Sequence, residues 1–190
     1  MSESAKGEKW IDAAFKALAR SGVDEVRVEV LAKDLGVTKG GFYRAFSDRG
    51  ALLDALLERW RAGRIAAIEA HARLGGTGGR ERLNELIKLY SEKVNPEGMA
   101  IELAIRQWAR SDPAAARVVA EVDAARLKNV AAVYASLGFD RLASEARAFL
   151  FYSFIFGQAL LASQLGEPKR SRWLKACASL LIKGAADAKS

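Results

Sequence analysis

Val26-Arg27-Val28-Glu29-Val30-Leu31-Ala32-Lys33-Asp34-Leu35-Gly36-Val37-Thr38-Lys39-Gly40-Gly41-Phe42-Tyr43-Arg44-Ala45-Phe46 is the stretch whose reading decides the fold. Val28 to Leu35 is ambiguous alone, because its Val-x-Val alternation suits a strand while Leu31, Ala32 and Leu35 share one helical face. The residues that follow resolve it. Gly36 supplies a turn glycine, and Thr38 is suited to N-cap a helix from Lys39 to Phe46. Two short helices joined by a tight glycine turn make a helix-turn-helix. In that unit Ala32 is small where two helices cross, Gly36 permits a left-handed backbone, and Val37 and Phe46 are expected to plug the small core beneath.

Upstream, Trp10, Ile11, Ala14, Phe15 and Leu18 recur at helical spacing before Ser21-Gly22, which predicts a helix from Glu8 to Arg20. Downstream, Ser47-Asp48 offers an N-cap, and Leu52, Leu53, Leu56, Leu57 and Trp60 mark a long helix reaching Arg73. The run Gly75-Gly76-Thr77-Gly78-Gly79 then breaks the chain and is expected to be flexible. Helical segments follow near 80–94, 98–110, 113–136, 140–165 and 169–184, separated by Asn95-Pro96, Asp112-Pro113, Gly138 and Gly166-Glu167-Pro168. Asp112-Pro113 reads as an N-cap followed by proline at the first helical position. The expected fold class is therefore all-α, with about nine helices.

The chain of 190 residues, 51% hydrophobic and 28% charged, is long enough to bury a real core. No apolar run approaches the roughly 20 residues of a membrane span, and the polar Met1 to Lys9 lacks a signal peptide's apolar stretch. A cytoplasmic location without membrane contact is expected. Cys177 is the only cysteine and His71 the only histidine. That excludes an intrachain disulfide, a cysteine zinc cluster and any site needing two histidines. No catalytic constellation is visible, and no enzyme activity, cofactor or metal is expected. Leu74 to Arg80 is rich in glycine but lacks the lysine and Ser/Thr of a phosphate loop. Cys177, among Ala176, Ala178, Leu180 and Leu181, reads as a small buried hydrophobe. The net charge of +7 suits an acidic partner, yet residues 1–62 carry eleven Lys and Arg against ten Asp and Glu, so the excess lies beyond the helix-turn-helix.

The stretch Val26 to Leu53 resembles the DNA-binding signature of TetR-family regulators, through Ala32, Gly36-Val37-Thr38-Lys39-Gly40, Phe42-Tyr43, Phe46 and Leu52-Leu53. The resemblance implies a three-helix DNA-binding domain over residues 1–50, a connecting helix at 49–73, and a helical ligand-binding and dimerisation domain over 51–190. In a helix-turn-helix the second helix enters the major groove. Thr38, Lys39, Gly40, Gly41, Phe42, Tyr43 and Arg44 are accordingly expected to face DNA, with Arg27 and Arg49 on flanking phosphates. Many family members carry an aromatic-His or His-His pair where this chain has Arg44-Ala45. Arg44 is therefore expected to set operator preference through its bidentate fork.

Ala104 to Pro113 is similar to a stretch in the ligand-binding half of many TetR-type proteins, which implies a cavity for a small-molecule effector and a homodimer built through the last two helices. Candidate ligand residues are Tyr90, Met99, Leu103, Arg106, Trp108, Phe151 and Gln158. Trp108 also fits a core position, and Arg106 also fits a pair with Glu102 one turn earlier. The resemblance implies a regulator, a repressor released by its effector from a palindromic double-stranded operator. The alternatives are an activator of the same family and a helical interaction protein that does not bind DNA.

Overall fold

The computed structural model describes residues 3–72, 78–92, 95–161, 166 and 169–183. Among them the chain is all-helical. Nine α-helices follow one another: α1 (Glu3–Ser21), α2 (Val28–Asp34), α3 (Lys39–Tyr43), α4 (Arg49–Ala72), α5 (Gly79–Glu92), α6 (Pro96–Trp108), α7 (Pro113–Ala135), α8 (Arg141–Leu161) and α9 (Lys169–Ile182), with a 3-10 turn at Val23–Glu25. The Val-x-Val segment is helix, since its register buries Val28, Leu31 and Ala32 together.

Side chains start four of these helices by accepting otherwise orphaned backbone N–H groups. Asp48 accepts from Ala51 at 2.8 Å, Asn95 from Gly98 at 2.8 Å, Asp112 from Ala114 and Ala115 at 2.9 Å each, and Asp140 from Ala143 at 2.8 Å. Asn95-Pro96, expected to separate helices, is instead the start of α6. Proline at the first helical position loses no hydrogen bond there. A Cβ on Gly98 would stand 2.7 Å from the Asn95 amide, so this cap requires the glycine. Gly36 adopts φ 64°, the left-handed turn expected of it.

The described residues divide into two compact units, Met1–Ile65 with Asn95–Val122, and Ala66–Val94 with Asp123–Ser190. Packing thus groups α6 and the start of α7 with the N-terminal helices, a grouping that differs from an N-terminal domain ending at residue 50. In the first unit Trp10, Ala14 and Leu18 of α1 join Leu31, Phe42, Leu52, Leu56, Trp60, Ile105 and Trp108 in one core. Burial of this apolar area is the dominant favourable term in folding.

In the second unit Leu83, Val130, Tyr134, Ala148, Phe151 and Ile155 are buried. The Tyr134 hydroxyl donates to the Leu181 carbonyl at 3.1 Å, tying α7 to α9. Its phenol is pushed up to about 12 by burial, with nearby Arg147 opposing. Arg147 lies 4.0 Å from the Phe139 ring centroid. Buried Arg126 pairs with Asp123 at 3.3 Å and lies over the Tyr152 and Phe156 rings. Phe151 and Tyr152 are buried, whereas Phe149 is exposed. Cys177 on α9 is exposed, contrary to the buried position expected of it. The glycine-rich expectation at 75–77 lies outside the described residues.

Candidate nucleic-acid interface

Helix α3 is only five residues long, so its orientation is set by what it buries rather than by its own periodicity. Phe42 is that anchor. Its ring is wholly buried and meets Trp10 of α1 edge-on at 5.3 Å, with Phe46 at 5.7 Å. After Tyr43 the backbone tightens, and the N–H groups of Ala45 and Phe46 both donate to the Phe42 carbonyl. The helix therefore stops short of Phe46, which was expected to end it.

With Phe42 inward, the rest of α3 turns outward. Thr38, Lys39, Gly40, Tyr43 and Arg44 are exposed, and Gly41 is half-buried against Trp10. Tyr43 is 61% exposed despite its edge-on contact with Phe42. Lys39 and Tyr43, and likewise Gly40 and Arg44, are spaced four apart and share a face. Arg44 has no ion pair among the described residues. Lys39 is held at 2.7 Å by Glu29 of α2, and this hydrogen bond with the ammonium keeps the Glu29 carboxyl below its usual range. Both partners are exposed, so a phosphate can displace the carboxylate at little cost.

Four expectations are corrected here. Phe42, expected to face DNA, has its ring buried in the core against Trp10. Val37, expected in the core, is 49% exposed, since the turn after Gly36 carries it outward. Thr38 occupies the N-cap position with extended backbone, but its side chain makes no capping hydrogen bond. Arg49, expected on a phosphate, donates through Nε to the Val26 carbonyl at 2.6 Å and through Nη2 to the Val23 carbonyl at 2.7 Å. It clamps the 3-10 turn to α4, adding a second hydrogen bond at the Val23 carbonyl, which already accepts from the Val26 N–H within the turn. Arg27 remains outward at the N-cap of α2, beside Glu25 at 3.6 Å.

The ligand candidates are divided between the two units. In the first, Trp108 is buried in the core and Arg106 pairs with buried Glu102 at 3.0 Å, while Met99 and Leu103 are half-buried. In the second, Phe151 and Gln158 are buried. The side chain of Tyr90 lies outside the described residues. Glu29, which sequence reasoning missed, lies ten residues from Lys39 across the turn, a separation that matches no helical or strand period.

Among the described residues no group of His, Cys, Asp and Glu could hold a metal ion, and no helix is long and apolar enough to cross a membrane. Residues 11–56 match the model of the tetR family of bacterial regulatory proteins. No curated protein sequence matches the chain. Solved structures share its fold: a TetR transcriptional regulator from Legionella pneumophila at TM-score 0.75 and 15% identity, covering 93% of this chain and 96% of that one. The regulator FadR from Bacillus subtilis, in complex with stearoyl-CoA, gives 0.65 at 18% identity over 93% and 98%. A protein from Saccharomonospora viridis described as a transcriptional regulator, in complex with choline, gives 0.79 at 16% identity over 95% and 97%.

Proposed function

We propose, from the match of residues 11–56 to the tetR family of bacterial regulatory proteins, that the chain is a TetR-type regulator, a homodimeric repressor released from a palindromic operator by a small molecule. The observation that carries the DNA half is the division of α3, with Phe42 buried against Trp10 and Lys39, Gly40, Tyr43 and Arg44 turned outward together. A helix so held fits a major groove about 12 Å wide. Thr38, Lys39 and Tyr43 contact phosphates or base edges, Gly40 and Gly41 let the backbone approach, Arg27 takes a flanking phosphate, and Arg44 reads a base.

The dimer half is supported by uncovered apolar side chains on the last two helices. Leu142 and Phe149 of α8 are seven apart, as are Trp173 and Leu180 of α9, and Leu150 and Leu161 are eleven apart. Those spacings return to one helical face. Two-fold pairing of α8 and α9 sets the recognition helices about 34 Å apart, one turn of DNA. An effector acts by binding one conformer better than the other. The stearoyl-CoA and choline complexes of structural neighbours support a small-molecule ligand without naming this protein's own. Activation is the competing reading. Footprinting the DNA upstream of the chain's own gene tests the proposal. A protected palindrome with half-sites one turn apart is expected, and binding no tighter than to random DNA at about 150 mM salt overturns it.

A further inference from the structure

The helix-turn-helix balances its own charges. Residues 23–44 carry four basic side chains, Arg27, Lys33, Lys39 and Arg44, against four acidic ones, Asp24, Glu25, Glu29 and Asp34, so the segment is neutral as a whole. Attraction to DNA regardless of sequence is almost wholly electrostatic, and the segment itself contributes little of it. The balance is local as well as summed. Of the three cations assigned above to DNA, Arg27 lies 3.6 Å from Glu25 and Lys39 lies 2.7 Å from Glu29, while Arg44 has no ion pair among the described residues. The Lys39–Glu29 bond is the shorter, and it joins α3 to α2 across the turn.

What this bond does for the fold is small. Its side chains are 57% and 62% exposed, and exposed ion pairs contribute little to stability. The turn between α2 and α3 is already fixed by the left-handed Gly36 and by Leu31 and Phe42 in the core. What it does to the DNA face is larger. The Glu29 carboxylate takes an N–H of the Lys39 ammonium that a phosphate oxygen would otherwise accept, and its charge opposes a phosphate brought up to the same group. The same bond keeps the Glu29 carboxyl below its usual range, so it is an anion at neutral pH. Resting on the reading of α3 as the DNA face, we propose that Glu29 is an internal competitor for the phosphate that Lys39 contacts, neutralising Lys39 in the free protein and lowering the affinity of the chain for any duplex. Binding then exchanges one oxyanion for another at Lys39 and releases Glu29 to solvent.

A short random-sequence duplex is the probe, so no operator need be known. Full-length wild type, Glu29→Gln, Lys39→Met and the double variant are titrated against it by fluorescence anisotropy at about 50 mM salt, where phosphate contacts are strong. Both residues are exposed, so all four proteins should fold alike, as circular dichroism will show. Glu29→Gln should bind about two- to fivefold tighter, the range of an exposed ion pair. Lys39→Met should bind more weakly than the wild type, and adding Glu29→Gln to it should gain little, because no ammonium is left to compete for. The proposal is overturned if Glu29→Gln binds no tighter than the wild type. It is overturned equally if the gain persists in full without Lys39, which would make Glu29 a repelling charge and not a competitor. Lys39→Met binding as tightly as the wild type would instead remove Lys39 from the DNA face, and the competitor with it, so failure of the premise is distinguishable from failure of the proposal alone.

Discussion

Two neighbouring aromatic residues on one short helix have opposite environments. Phe42 is wholly buried and Tyr43 largely exposed, so the same truncation separates folding from recognition. Phe42→Ala is expected to cost about 3–5 kcal/mol of stability in denaturant titration, as large aromatic deletions in cores do. Tyr43→Ala should leave the denaturation midpoint nearly unchanged and weaken operator binding in gel-shift titration. Arg44→Ala should relax preference at one base pair per half-site, worth about 1–3 kcal/mol, and unchanged selectivity across operator variants would count against the reading of Arg44 as a base contact. Arg49 belongs with Phe42 rather than with Arg44. Its two bonds to the Val23 and Val26 carbonyls make Arg49→Met destabilising by about 1.5–3 kcal/mol, the worth of hydrogen bonds to a charged group.

Helix ends carry the predictions at the next scale. The Asp112 carboxylate accepts from the backbone N–H groups of Ala115 and Ala114 at the start of α7, and those bonds hold it below the usual carboxylate range. A depressed native pKa contributes stability that is present above the unfolded pKa and lost as pH falls through the folded one, so the loss appears on the acid side, below about pH 4. Asp112→Ala should cost about 1 kcal/mol at neutral pH. Asp112→Asn keeps an acceptor without a titrating charge, and its thermal midpoint should fall less on acidification than that of the wild type. Tyr134 links α7 to the end of α9 and has the opposite sign. Its raised pKa contributes stability that is complete below the unfolded value and lost as pH rises through about 12. Ultraviolet titration should show one late-ionising tyrosine, absent in Tyr134→Phe.

For the whole molecule, the proposed function has the exposed apolar side chains of α8 and α9 coupling assembly to DNA binding. Phe149→Glu places a charge in the proposed two-fold interface, at a position that is exposed in the single chain. Sedimentation should then report a folded monomer, and operator affinity should collapse because one helix-turn-helix cannot span two half-sites. Retention of the dimer by Phe149→Glu would move the interface elsewhere. The same pairing would cover the face of α9 from which Cys177 projects.

Local chemistry made much of this chain legible before any packing was known. A glycine that must be left-handed, aspartates ahead of helices and proline at a first helical position act within a few residues of themselves, so Gly36, Asp48 and Asp112-Pro113 marked the turn and the helix starts. The motif from Ala32 to Phe46 likewise carried the helix-turn-helix and its family. Three decisions belonged to tertiary structure alone. A five-residue helix has too little periodicity to say which side is inward, and the position of Trp10 selected Phe42 for the core while Val37 went to the surface. The partners of Arg49 lie more than twenty residues away in the chain, so no local rule could distinguish a carbonyl clamp from a phosphate contact. A cleft walled by α1, α4 and α6 exists only where those helices converge, because a cavity is a property of an assembled surface and not of a residue type.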